Sequence, residues 1–141
     1  MRIFSFLAML SVAASAVGGE LFESYFVSGK ANNQSYEFKV TKADVASTPI
    51  WSPADENPPL SPRRAEQIAR EQLLQLVPAA KEWLRREITV AAFGDDLHWI
   101  YVVQFEPPPL EDVAEFGRDY MKIAVLFDGR LIKPKVTPIP N

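Results

Sequence analysis

Residues 60–78 read LSPRRAEQIAREQLLQLVP, and the fold class follows from how this stretch is organised. Ser61 precedes Pro62, a side-chain oxygen acceptor followed by the residue best suited to a first helical position. The reciprocal acid of a capping box is absent, because Arg64 occupies that place. Ala65, Ile68, Ala69, Leu73, Leu76 and Val77 then recur on one helical face, and Arg63, Glu66, Gln67, Arg70, Glu71 and Gln75 fall on the other. Glu66 and Arg70 stand four apart, the spacing of an ion pair along a helix. Pro78 cannot continue the helix, so the pattern predicts one main helix from Pro62 to Val77. Ala79 to Arg85 has room for one further short turn, with Trp83 and Leu84 facing inward.

A helix with a single apolar face needs something to lie on. The chain after it supplies three strand-like runs: Glu87 to Phe93, Leu97 to Glu106 and Asp119 to Phe127. In the second, Trp99, Tyr101, Val103 and Phe105 share one side; in the third, Met121, Ile123, Val125 and Phe127 do. Gly94-Asp95-Asp96 is a turn between the first two. Asp128-Gly129 signals a tight hairpin turn leading to a short edge strand from Arg130 to about Val136, blunted by Pro134, Pro138 and Pro140. Before the helix, Leu21 to Lys30 and Ser35 to Lys42 read as a hairpin around the turn-forming stretch Gly29 to Gln34, where Asn33-Gln34-Ser35 is formally a glycosylation sequon. The residues 48–62 carry Pro49, Pro53, Pro58, Pro59 and Pro62, which excludes helix and central strand and predicts an extended crossing, with Ile50 and Trp51 packed down.

The expected architecture is α+β: an antiparallel sheet of about five to six strands packed on one main helix. The lengths agree, since the helix spans about 24 Å and an eight-residue strand about 26 Å. The sheet has a second face to account for. Ile100 and Val102 point opposite to Trp99 and Tyr101, and Ala124 and Leu126 oppose Ile123 and Val125, so the centre is apolar on both sides. The expected cover is the proline-rich crossing or the N-terminal hairpin with Phe22 and Phe26; a partner or a second copy of the chain is the alternative.

The first residues, MRIFSFLAMLSVAASAVGG, combine a positive Arg2, an apolar run from Ile3 to Ala14 and a small-x-small site at Ala14-Ser15-Ala16. Those parts in that order predict a signal peptide over 1–16, cleaved near Ala16 or, as a second choice, Gly18. The run is shorter than the roughly 20 apolar residues of a membrane span, so no membrane attachment is expected once it is removed. The remainder, 17–141, is expected to be one domain in a secreted or periplasmic setting. The net charge is −3 and becomes −4 without Arg2, with signs mixed along the chain and no basic stripe, so nucleic acid is not an expected partner. The sequence contains no cysteine, which excludes disulfides, thiolate metal sites and a cysteine nucleophile.

Few residues point to chemistry. His98 is the only histidine, and with Asp96 it makes at most two ligands where zinc needs three or four. No Gly-x-Ser-x-Gly elbow surrounds Ser24, Ser28 or Ser35. Glu106, Glu111, Asp112, Glu115 and Asp119 gather around a long loop, but their order fits neither a calcium loop nor a spaced carboxylate pair. Trp83 and Trp99 read as core, whereas Trp51 in the crossing is a candidate contact residue.

Three stretches resemble the PepSY domain, a small exported α+β module found in protease propeptides and as free-standing proteins. Leu60-Ser61-Pro62-Arg63-Arg64-Ala65-Glu66-Gln67-Ile68-Ala69 is similar to that family's opening helix. His98-Trp99-Ile100-Tyr101-Val102-Val103-Gln104-Phe105 is similar to its central strand, and Ile123-Ala124-Val125-Leu126-Phe127-Asp128-Gly129-Arg130-Leu131-Ile132 to its closing hairpin. The stretch from about 60 to 133 carries the likeness; the closing turn keeps only Asp128-Gly129, and the first hairpin and the crossing are additions. The resemblance implies a non-catalytic binding or inhibitory module, with a peptidase or another protein as partner and no catalytic residue, cofactor or metal. The candidate binding residues are Trp51, Ile100 and Val102. The alternatives are a structural subunit of a homo-oligomer and, behind it, a hydrolase using Asp95, Asp96 and Glu106.

Overall fold

The computed structural model describes residues 24–111 and 117–141; the signal-like segment 1–16, Phe22 and the centre of the acidic loop lie outside the described residues. The described chain forms a six-stranded antiparallel sheet with one main helix on one face. Strands β1 (Ser24–Ala31) and β2 (Gln34–Thr41) make the first hairpin, followed by a short helix α1 (Lys42–Ala46) and the main helix α2 (Pro62–Leu76). A 3-10 turn (Pro78–Glu82) leads into β3 (Leu84–Ala92), β4 (Trp99–Glu106), β5 (Tyr120–Leu126) and β6 (Lys135–Pro138). The spatial order is β3-β4-β5-β1-β2-β6.

Helix α2 ends as its sequence dictates. Ser61 Oγ accepts from the Arg64 N–H at 3.2 Å, and Val77 closes the last turn on the Leu73 carbonyl ahead of Pro78. Ala65, Ile68, Ala69 and Leu73 are buried against the sheet. The two alanines let the helix backbone sit close, while Leu73 and Ile68 fill the space between layers. Their sheet counterparts are Tyr101, Val103 and Phe105 of β4 and Met121, Ile123 and Val125 of β5, all fully buried. Arg70 joins the layers through its guanidinium: Nη1 donates to the Trp83 carbonyl at 3.0 Å and Cζ lies 4.8 Å from the centre of the Phe105 ring. Glu66 pairs with Arg70 at 3.6 Å and also takes Arg85 at 3.0 Å.

The first hairpin turns on Asn32 and Asn33 alone, both with positive φ (52° and 58°), the two-residue turn that matches strand twist. Gly29 and Lys30, expected in that turn, are instead paired strand residues. Gly29 faces Met121 across the β1–β5 seam, where a Cβ would stand 3.2 Å from the Met121 Cα; its missing side chain is what lets the two strands approach.

Four other expectations are corrected. Leu84 is 54% exposed, because β3 begins there and alternation turns it away from the inward Trp83. Leu97 is 48% exposed and precedes β4; the Asp95 carboxylate accepts from the Leu97 and His98 N–H groups and holds them in the turn. Ile50 is 63% exposed while its neighbour Trp51 packs. The chain after Asp128-Gly129 makes a single bridge, Leu131 to Val125, and then leaves. The flank of β5 is already occupied by β1, so the chain crosses beneath the sheet and pairs as β6 on the outer side of β2. Gln72 of α2 secures that crossing by donating to the Ile132 carbonyl at 3.0 Å. Helix α1 was not anticipated; Thr41 and Asp44 form its reciprocal cap.

On the second sheet face Ile100, Ala124 and Leu126 are fully buried; Phe22, one part of the expected cover, lies outside the described residues. The first hairpin extends the sheet instead of lying over it, with Phe26 58% exposed. The proline-rich crossing sits on the helix side, where Trp51 meets Trp99 edge-on at 5.4 Å and Phe127 at 6.0 Å. The Trp51 backbone N–H donates to Leu97 O at 2.9 Å, and Trp99 Nε1 donates to Trp51 O at 2.9 Å.

Candidate binding groove

The face opposite α2 divides along its length. Toward the Gly94 end it is apolar and closed: Ile100, Ala124 and Leu126 are fully buried, and Phe93, one ladder position beyond β3, is buried beside them. Toward the other end the same strands carry polar side chains, and the register places these in rows. Glu87, Gln104 and Lys122 stand abreast on β3, β4 and β5, and Thr89, Val102 and Ala124 form the next row. Across the seam, Tyr120 of β5 stands opposite Lys30 of β1.

Two adjoining depressions occupy this half. The larger, about 490 Å³, is lined by Lys30, Arg86, Arg118 and Lys122 together with Glu106, Asp119, Gln104 and Tyr120. The smaller, about 190 Å³, runs on between Phe26, Ser28, Thr89 and Val102. Gln104 and Lys122 line both, so they form the floor of one continuous groove. Arg86 reaches it because of a bulge: the register slips between Arg85 and Glu87, and the extra residue re-aims its side chain.

Most of the charged groups are already held. Arg118 donates to the carbonyls of Pro107 (2.9 Å) and Pro108, tying down the start of the acidic loop. The Lys30 ammonium donates to Gly117 O at 3.1 Å. Glu106 accepts from Gln104 Nε2 at 2.8 Å and lies 3.9 Å from Arg86. Asp119 accepts from the Asn32 N–H at 3.5 Å, and Glu87 accepts from Thr89 Oγ1 at 2.9 Å. Ser28 and Tyr120 share a hydroxyl–hydroxyl bond of 3.2 Å over the seam. Lys122 is the exception: it is half-buried at the centre of the groove and makes no ion pair or side-chain hydrogen bond among the described residues.

The residues singled out from sequence fall in three places. Trp51 anchors the crossing on the helix side. Ile100 is fully buried and presents no surface. Val102 alone of the three lines the groove. The acids Asp95, Asp96 and Glu106 are not brought together, because the first two precede β4 and the last ends it, roughly 24 Å away along the strand. Asp95 is instead paired with His98 Nδ1 at 2.8 Å. Slight burial is the largest influence on its carboxyl and would raise its pKa. Hydrogen bonds from the His98 side chain and from the backbone of His98 and Leu97, with the His98 charge, outweigh it and hold the carboxyl below its ordinary value. Among the described residues, no three His, Asp or Glu side chains converge in a way that could hold a metal ion.

Lys30, Arg86, Gln104, Arg118, Tyr120 and Lys122 were not identified from sequence. Their signal was nonetheless present: Gln104 and Lys122 interrupt otherwise apolar strands at positions that pair across β4 and β5. No family model, curated protein or solved structure matches the chain.

Proposed function

We propose that this chain is an exported, non-catalytic binding module, PepSY-like in kind, that recognises its partner with the sheet face opposite α2. The observation that carries the reading is the groove: a continuous depression floored by polar side chains from β4 and β5 and walled by β1 and β3, on a sheet whose other face is filled by the helix. Its hydrogen-bonding groups alternate with apolar surface from Phe26 and Val102, a mixture suited to a polypeptide. The signal-like N-terminus and the resemblance over about 60–133 support the exported, modular character. The test is retention of partners by the immobilised full chain from the extracellular or periplasmic extract of its host. A protein retained by the chain and lost with Val102→Asp supports the reading; retention of no protein, or retention unaffected by that change, refutes it.

A further inference from the structure

The charge of the groove is opposite to that of the chain. On a protein of net charge −3, the groove gathers four cations, Lys30, Arg86, Arg118 and Lys122, against three acids, Glu87, Glu106 and Asp119. Each acid is turned toward groups of the fold itself. Lys122 has no acid within pairing distance among the described residues, although it is half-buried and central. An ammonium partly withdrawn from water is stabilised by an anion brought to it. A concave site with a surplus of one sign of charge favours ligands of the other.

We propose that the groove binds an acidic peptide segment, its carboxylates against Lys122 and Arg86 and a neighbouring apolar side chain against Phe26 and Val102. This rests on the reading of this face as a binding surface and names the ligand class. A peptide suits the groove better than an anionic lipid surface does. Gln104 and Thr89 stand between the cationic and apolar parts; Gln104 Nε2 donates to Glu106 and Thr89 Oγ1 to Glu87, which leaves Gln104 Oε1 and the Thr89 oxygen as acceptors for backbone N–H groups that an acyl chain would leave unsatisfied.

The test uses the full chain and two fluorescein-labelled peptides of equal length, one with four Asp or Glu residues followed by Leu and Phe, the other with Asn and Gln in their place. Anisotropy titrations are expected to show the acidic peptide binding at least about tenfold more tightly. Its affinity should fall as NaCl rises from about 50 to about 300 mM. Lys122→Gln should weaken it about tenfold. Arg86→Gln, at an exposed side chain whose loss cannot unfold the protein, should weaken it several-fold, and Lys81→Gln on the helix layer should change nothing. Equal binding of the two peptides overturns the charge assignment while leaving the face a binding surface. Binding of neither peptide tells against both readings, and binding of phosphatidylglycerol vesicles without either peptide overturns the proposal in favour of lipid.

Discussion

Replacing Gly29 by alanine sets two effects of known size against each other. In an interior strand position alanine is favoured over glycine by about 0.5–1 kcal/mol, because less backbone freedom is lost on folding. Here the new methyl would point at the helix layer from the β1–β5 seam. It would overlap the Met121 sulfur and stand 3.2 Å from the Met121 Cα. Met121 is fully buried, so its thioether cannot swing into solvent, and the backbone contact cannot be relieved by any rotamer. Overpacking of this kind costs about 1–3 kcal/mol, tempered by the adaptability of methionine. The expected net effect is a loss of about 1–2 kcal/mol, read as a lower urea midpoint in the fluorescence of Trp51, Trp83 and Trp99 and as a melting temperature about 4–8 °C lower. The decisive measurement is a double-mutant cycle with Met121→Ala, which alone costs about 2–5 kcal/mol through the cavity it leaves. In the double variant the alanine methyl occupies part of that cavity, so the two losses should fall short of additive by about 1 kcal/mol or more. A higher midpoint for Gly29→Ala, or strict additivity in the cycle, would refute the close approach of β1 and β5.

Further expectations follow from single features of the fold. Ser61→Ala removes the cap of α2 and should cost about 1 kcal/mol by urea denaturation, whereas Gln75→Ala, at an exposed position of the same helix, serves as a near-neutral control. Leu73→Ala, at a fully buried helix position, should cost about 2–5 kcal/mol and broaden or abolish the thermal transition. Because the Asp95 carboxyl is held below its ordinary pKa of 3.8, its contribution to stability is present above that value and is lost as pH falls through the lower folded value. The stability gap between the wild type and Asp95→Asn should therefore shrink as pH falls below 3.8, as followed by urea midpoints across an acid pH series. The proposed signal peptide is checked by mass analysis of the chain recovered from its host's extracellular or periplasmic fraction, which should find a mature start at Val17 or Gly19.

The elements written in repeating patterns were legible in the sequence. Helix α2 could be placed from Ser61, Pro62 and Pro78 because capping and proline chemistry act locally, and β4 and β5 from alternation alone. The order of strands was not legible. Nothing in Leu131 to Val136 distinguishes pairing with β5 from pairing with β2; the β1–β5 contact of Gly29 with Met121 that fills that flank joins residues far apart in sequence. The turn at Asn32-Asn33 was placed too broadly because Gly29 looked like a turn former, when its role is close packing. The groove stayed hidden for a related reason. Lys30, Gln104, Arg86 and Lys122 lie as far as 92 residues apart in sequence, being Lys30 and Lys122 at the extremes. They become neighbours only through register and one bulge, neither of which has a local signature.

The short seam between β1 and β5 also dictates an order of events in time. It has two ladder positions, Gly29 with Met121 and Lys30 with Tyr120, whereas the ladders on either side of it are longer. Helix α2 and strands β3 to β5 come from one uninterrupted stretch of chain, so the entropy of closing their loops is small. The first hairpin, though synthesised earlier, gains its neighbours only from residues near 120 and near 136. Assembly should thus begin in the middle of the polypeptide and finish at both ends together, with β6 as the last clasp. In the finished molecule the same seam is where slow amide exchange should divide into two blocks, the hairpin opening before the helix-backed strands.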